Sequence, residues 1–212
     1  MKTTLTKDDL AALITHVSDE MMASKDKLSE LDAIIGDGDL GVTVTLGFTA
    51  VKKSIQAGGH ADMQAMLSGC GMAFGDNAAS TFGALMSTMF IRAGRAVKGK
   101  DQIGPSEFAA MLQAATEGVE QRGKAHLGDK TMLDALIPAS QALNKAANEG
   151  HPLPRCMDAA LDAARNGVEE TTKLKSKAGR SEWMGDRTIG VKDAGAAAMV
   201  IFLEAATQYI KN

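Results

Sequence analysis

Cysteine, proline and aromatic residues are all scarce in this chain. Only two of its 212 residues are cysteine, Cys70 and Cys156. That count excludes a disulfide scaffold and points to a reducing, cytoplasmic setting. With four prolines, no Pro-rich linker divides the chain. Aromatic residues make up 4% of it, while methionine reaches 13 residues. A core short of rings is built from Ala, Leu, Ile and Met, which suit close-packed helices because straight-chain residues lose little rotamer freedom there. Positive charge is not in excess, with 23 Lys plus Arg against 26 Asp plus Glu and a net charge of −3. This argues against nucleic acid or an anionic membrane as the partner. No apolar run approaches the ~18–20 residues of a membrane span. The polar start, Lys2-Thr-Thr-Leu-Thr6 followed by Lys7, Asp8 and Asp9, is not that of a secretory leader.

What is present is a globular composition, 45% hydrophobic and 23% charged, unlike a disordered or collagen-like chain. The length fits one domain over residues 1–212, since single domains commonly run about 100–200 residues. Helical periodicity dominates, and no segment alternates as a strand would. Thr6 is placed to cap a first helix running to about Ala23, with Leu10, Leu13, Ile14 and Val17 on one face. A short helix ends near Leu31. Others run from Val42 to Ile55, Asp62 to Ala73, Ala84 to Ala96, Pro105 to Gln121, Thr131 to Asn148 and Leu153 to Leu174, and the last from Ala196 to Ile210. The reading is all-α, about eight helices in an antiparallel bundle. Antiparallel helices bring every second loop to one end, where several loops can build one site. Glycine is frequent at 22 residues, many of them between helices, either as C-caps or where backbone nears a ligand.

The sharpest local feature is Asp32-x4-Asp37-x-Asp39, followed by Gly41. Three carboxylates within eight residues repel one another unless a cation sits between them. Mg²⁺ takes oxygen ligands, a few carboxylates together with phosphates and water. Gly38 and Gly41 allow close backbone approach, and the helix after Gly41 offers free N–H groups to an anion, with Thr43 assisting. An Asp-rich turn with capping carboxylates is the plainer reading of any single Asp-x-Asp. An EF-hand is excluded, because Val42 and Phe48 stand where its Gly and Glu belong. Gly118-Val-Glu-Gln-Arg-Gly123-Lys124 imitates a P-loop, but Ala125 replaces the metal-binding Ser/Thr and a helix precedes it. Gly69-Cys-Gly71 fails as a dinucleotide fingerprint for the same lack of a strand. Cations gather at Arg122, Lys124 and Lys130, and again at Lys175, Lys177, Arg180 and Arg187; such side chains suit phosphates, an acidic partner or plain solvent. His16, His60, His126 and His151 read as surface residues, and Cys70 as core.

Taken together, three ordered motifs resemble the L subunits of dihydroxyacetone kinases. They are Leu31-Asp32-x3-Gly36-Asp37-Gly38-Asp39-x-Gly41; Arg122-Gly123-Lys124-Ala125-x2-Gly128-Asp129-Lys130-Thr131-Met132-Leu133-Asp134; and Gly179-Arg180 with Gly185-x-Arg187-x-Ile189-Gly190 and Asp193-Ala194-Gly195. The resemblance implies an eight-helix antiparallel barrel with ADP or ATP bound by loops at one end. It implies that Asp32, Asp37 and Asp39 hold two Mg²⁺ ions against the phosphates. It makes Leu40, Gly41, Val42, Thr43, Ser80, Thr81, Gly123, Met132, Arg180, Asp193, Ala194 and Gly195 the nucleotide-lining residues, with Arg180 joining the aspartates in catalysis. A stand-alone L subunit resembles the phosphotransferase-system-coupled type. There the ketose sits on a separate K subunit, and a phosphocarrier M protein recharges bound ADP to ATP. The family's Gly-Gly-x-Ser-Gly-Pro-Leu loop reads here Ala79-Ser80-Thr81-Phe82-Gly83-Ala84-Leu85, His gives way to Leu40, and Asp-Pro-Gly becomes Asp193-Ala194-Gly195. These departures leave the metal residues intact but alter phosphate and base contacts, so the alternative is a non-catalytic ADP-binding paralogue that regulates a partner.

Overall fold

In a computed structural model, residues 2–212 are described; Met1 lies outside them. Nine α-helices account for most of the described residues: α1 (Lys7–Ala23), α2 (Lys25–Ile35), α3 (Leu40–Ala57), α4 (Met63–Asn77), α5 (Thr81–Ala96), α6 (Pro105–Gly123), α7 (Leu133–Asn148), α8 (Leu153–Thr171) and α9 (Ala194–Lys211). A 3-10 helix, Arg180–Thr188, interrupts the expected last loop. The described residues form no sheet, only a bridge pairing Leu5 with Ile103. The fold is all-α, as the periodicity predicts. No helix among the described residues is long and apolar enough to cross a membrane.

Eight of the helices close a ring. α1, α3, α4, α5, α6, α7, α8 and α9 pack side by side in that order, and α9 returns to α1. Short connections make neighbours from α3 to α8 antiparallel, and the pairs Arg165–Glu204 and Lys211–Asp158 set α9 antiparallel to α8 despite the long segment between them. The amide of Lys2 reaches the carbonyl of Ile210, 2.9 Å away, so the start of α1 meets the end of α9 and the alternation closes. The short α2 lies outside the ring, packed on α3 across one end.

Local signals explain most boundaries. Thr6 and Asp9 form a capping box at α1, each side chain accepting the other's backbone amide. Pro105 opens α6 at its first position, where a missing N–H costs nothing. The buried face of α1 carries Leu10, Leu13, Ile14, Val17 and Met21. Rings are few but concentrated. Phe48 of α3 meets Phe74 of α4 edge-on at 5.1 Å, and Phe90 and Phe202 complete the cluster inside the barrel.

Three boundaries differ from expectation in ways that matter for the site. α2 continues past Leu31 to Ile35, which puts Asp32 in its last turn. α5 begins at Thr81 because Ser80 caps it, accepting the Gly83 amide at 3.0 Å. α9 begins at Ala194 because Asp193 accepts the Ala196 amide at 2.7 Å.

Candidate functional site

The parity of an antiparallel ring decides where the site forms. α3, α5, α7 and α9 all start at the same end, so four positive helix termini face one another there. They border a cavity of about 230 Å³. α3 brings Asp39 and Leu40 to it, α5 brings Ser80, Thr81 and Phe82, α7 brings Met132 and Leu133, and α9 brings Asp193, Ala194 and Gly195. The ends of α2 and α6 add Asp32, Asp37 and Gly123. Unpaired amides at helix starts are a ready binding surface for anions.

The acidic side is the aspartate triad. Asp32, Asp37 and Asp39 each offer a carboxylate oxygen, all within 4.8 Å of one another, the one such group of three metal-ligating residues among the described residues. Asp32 is anchored, its carboxylate accepting the Leu40 amide at 3.3 Å. Asp37 and Asp39 are exposed. Arg180, the first residue of the 3-10 helix, pairs with Asp37 and lies 3.5 Å from Asp39. The guanidinium therefore supplies the positive charge that three clustered carboxylates require. Oxygen-only donors at a partly open position suit a hard divalent cation that keeps water and phosphate among its ligands.

The opposite wall is apolar, formed by Phe82, Leu85, Val119, Ala125, Met132 and Leu133. One cavity thus joins a charged mouth to an apolar recess. That combination accommodates a molecule with a flat, weakly polar body and an anionic tail.

Three expected residues do not line this cavity. Gly41 is buried between helices; a Cβ there would lie 2.1 Å from the carbonyl oxygen of Lys25, so glycine at 41 lets α3 touch α2. Thr43 is buried and its amide is spent on the Asp39 carbonyl at 2.9 Å, so that amide is not free for an anion. Val42 faces outward, 47% exposed. The helix starts that reach the cavity without spending all their amides are instead those of α5 and α9, at Thr81 and Phe82 and at Ala194 and Gly195. His16, His60 and His151 are half-buried rather than superficial. His60 Nε2 lies 3.1 Å from the Ser54 carbonyl, His151 pairs with Glu149 at 3.3 Å, and His16 packs near Tyr209. His126 is exposed, beside Glu120 in a wider polar groove between α6 and α7. Both cysteines are buried, and burial pushes the Cys70 thiol up to about 12, which leaves it inert.

Sequence reasoning passed over Asp134 and misplaced Lys130. Asp134 is buried and accepts the amides of Gly128 and Thr131, both at 2.7 Å. The Thr131-x-x-Asp134 spacing resembles a capping box and was the available signal. Lys130 is buried, not solvated, and lines the cavity floor. Burial lowers its pKa, against the pull of Asp193 and Asp134. Burial pushes the Asp193 carboxyl up to about 7, opposed by the Ala196 amide, with Asp134 and Asp32 adding to the rise and Lys130 resisting it.

Comparison with known proteins points to one family. The DAK2 domain profile matches residues 34–208. The chain is 28% identical over 200 residues to the ADP-binding subunit of the PEP-dependent dihydroxyacetone kinase of Escherichia coli, covering 94% of this chain and 95% of that one. It is 31% identical over 208 residues to the ADP-binding subunit of PEP-dependent dihydroxyacetone kinase 2 of Listeria innocua, covering 95% and 96%. Its fold is similar to the crystal structure of the dihydroxyacetone kinase of C. freundii, with a TM-score of 0.74 at 25% identity. That match covers 93% of this chain but only 34% of the larger kinase chain.

Proposed function

The chain belongs to the DAK2 domain family, and on that footing we propose that it is the ADP- and magnesium-binding subunit of a dihydroxyacetone-type kinase, with residues 1–212 acting as one nucleotide-binding domain. The observation that carries this reading is the joining of a three-carboxylate cluster to an apolar-walled cavity ringed by helix starts. The donor set fits the metal, being all oxygen and beside free amides. Asp32, Asp37 and Asp39 are the residues that would hold two Mg²⁺ ions, whose chemistry is to neutralise charge on phosphate oxygens. The chain's own groups do the rest. The starts of α5 and α9 bind phosphate oxygens, and Arg180 balances charge beside them. The recess of Phe82, Leu85, Val119 and Met132 takes the base and excludes water. Phosphoryl transfer asks little more of a protein than position and charge stabilisation.

The reaction is transfer of a phosphoryl group from bound nucleotide to a ketose, dihydroxyacetone or a relative, held on a separate K subunit in the cytoplasm. ADP then stays in place as a coenzyme and is recharged by the phosphocarrier M protein of the phosphotransferase system. A docking face beside the triad supports the division of labour. Ile34 on α2 and Val42 and Leu46 on α3 are 55%, 47% and 51% exposed, and the last two share a helix face.

Calorimetry with ADP in the presence of Mg²⁺ and of EDTA tests the site: Mg²⁺-dependent binding is expected, and no binding under either condition overturns the reading. Phe82 in the cavity wall favours the non-catalytic alternative, which also binds ADP. Turnover in a coupled assay with K and M partners separates the two.

A further inference from the structure

The Lys130 ammonium makes an unusual set of contacts. Its side chain is 1% exposed. Nζ donates to the carbonyl oxygens of Thr171 at 2.7 Å, Leu174 at 3.2 Å, Thr188 at 2.6 Å and Val191 at 2.5 Å. These oxygens come from the end of α8, the end of the 3-10 helix and the turn that leads into Asp193. An ammonium has three protons, so four carbonyls saturate it and leave none for a phosphate. No carboxylate pairs with Lys130 among the described residues. Two of its acceptors lie at the negative end of α8, where a cation is favoured.

The segment it gathers has little else to hold it. From Lys175 to Lys192 only Ser176 and Thr188 are buried. Apart from Ala178, which packs against the core, its other ties to the body are mostly polar, among them the Ser176 amide to Thr188 Oγ1 at 3.0 Å, the Gly190 amide to the Thr172 carbonyl at 2.7 Å, the Lys177 amide to the Asp129 carbonyl at 3.1 Å, and exposed Lys192 to Glu169 at 2.5 Å. Yet this strap carries Arg180 to the aspartates and ends at Asp193, the cap of α9. Lys130 itself holds a left-handed backbone, φ 62°. Such a conformation in a residue with a Cβ persists only where its surroundings impose it.

We propose that Lys130 is a positioning residue, whose buried ammonium pins the 175–193 strap by its carbonyls and so sets Arg180 and Asp193 at the cavity. It orders the site without touching the nucleotide. The affinity part of the test rests on the nucleotide-site reading; the other parts do not.

The test compares Lys130→Met and Lys130→Arg with the wild-type full chain; all three bear the same backbone strain. Trp183 is the only tryptophan and lies on the strap, so its anisotropy and acrylamide quenching report strap order directly. Lys130→Met is expected to keep the helical circular dichroism, lower the Trp183 anisotropy and weaken Mg·ADP binding by about tenfold or more, as loss of a supporting residue does at a metal site. Lys130→Arg is expected to restore part of both. Unchanged anisotropy and unchanged affinity in a folded Lys130→Met overturn the proposal, including the case where only the melting temperature falls. Should Lys130→Met not fold, acetic anhydride labelling of the wild type decides. Lys130 is expected to react far more slowly than exposed Lys177, and equal rates overturn it. A wild type that binds no Mg·ADP refutes the nucleotide site, while the anisotropy and labelling still judge the strap.

Discussion

Asparagine at position 39 separates what the carboxylate triad does for stability from what it does for binding. The three oxygens lie within 4.8 Å. At that distance two like charges repel by about 1 kcal/mol in water and about 3.5 kcal/mol at an effective dielectric of 20. The Asp37 and Asp39 side chains are 41% and 52% exposed, which favours the lower figure, about 1 kcal/mol per pair. Asp39 has two such neighbours, and Arg180 at 3.5 Å offsets about one of them. Asp39 also stands at the start of α3, without a side-chain capping bond; losing the charge there costs about 0.5 kcal/mol through the helix dipole. The balance is a gain of about 0.5 kcal/mol for Asp39→Asn, a rise of about 1–2 °C in melting temperature for a chain of this size. With Mg·ADP at 100 times Kd the order reverses, because the wild type gains about 2.7 kcal/mol from the ligand and the variant gains almost none. Melting curves in EDTA and in Mg·ADP check both halves. A variant clearly less stable than wild type in EDTA, or one with the full ligand-induced shift, refutes the reasoning.

Asp193 makes stability depend on pH. Its folded pKa, about 7 against an ordinary 3.8, means the native state keeps a proton that the unfolded chain has released. Stability from this group is therefore greatest below about pH 4 and declines up to pH 7, by at most about 4 kcal/mol. Asp193→Asn keeps an oxygen for the Ala196 amide and removes the decline, so urea unfolding at pH 5 and pH 7.5 is expected to show the variant gaining on wild type at the higher pH; an equal difference at both refutes it. Gly41→Ala is expected to cost about 1–3 kcal/mol by overpacking and, by shifting the Asp32-bearing α2, to weaken Mg·ADP binding; an unchanged melting temperature refutes the packing role. Val42→Ala is expected to leave that affinity unchanged, and a tenfold loss measured by calorimetry returns Val42 to the nucleotide site.

The helices were legible because apolar spacing repeats along each of them and because caps such as Thr6 and Pro105 announce themselves locally. Their ends near the cavity were not. Ser80-Thr-Phe-Gly83 reads as a loop because glycine is poor in helices, yet Gly83 lies in the first turn of α5. A Cβ on it would lie 1.9 Å from the Ala78 carbonyl oxygen, a contact no local pattern reveals. The closed ring was expected from the family resemblance, and the sequence pattern alone supported only a bundle. Nothing in periodicity tells α1 to pack on both α3 and α9.

The site divides along the same line between local and distant information. The triad was legible because three like charges in eight residues demand a counter-charge wherever the chain goes. Lys130 was not, because a lysine among Gly and Asp reads as solvated, and the carbonyls that bury it lie 41 to 61 residues away. The four helix starts at the cavity are different again, being consequences of ring parity rather than of any residue. Their field survives side-chain substitutions in the first helical turns, including Phe82 and Ala194, because it resides in backbone dipoles. Side chains that act alone have no such protection. On the proposed reading, the triad and Lys130 are therefore the points where one substitution would remove the metal or free the strap, while changes such as Phe82 and Ala194 would alter only which base and phosphates are preferred.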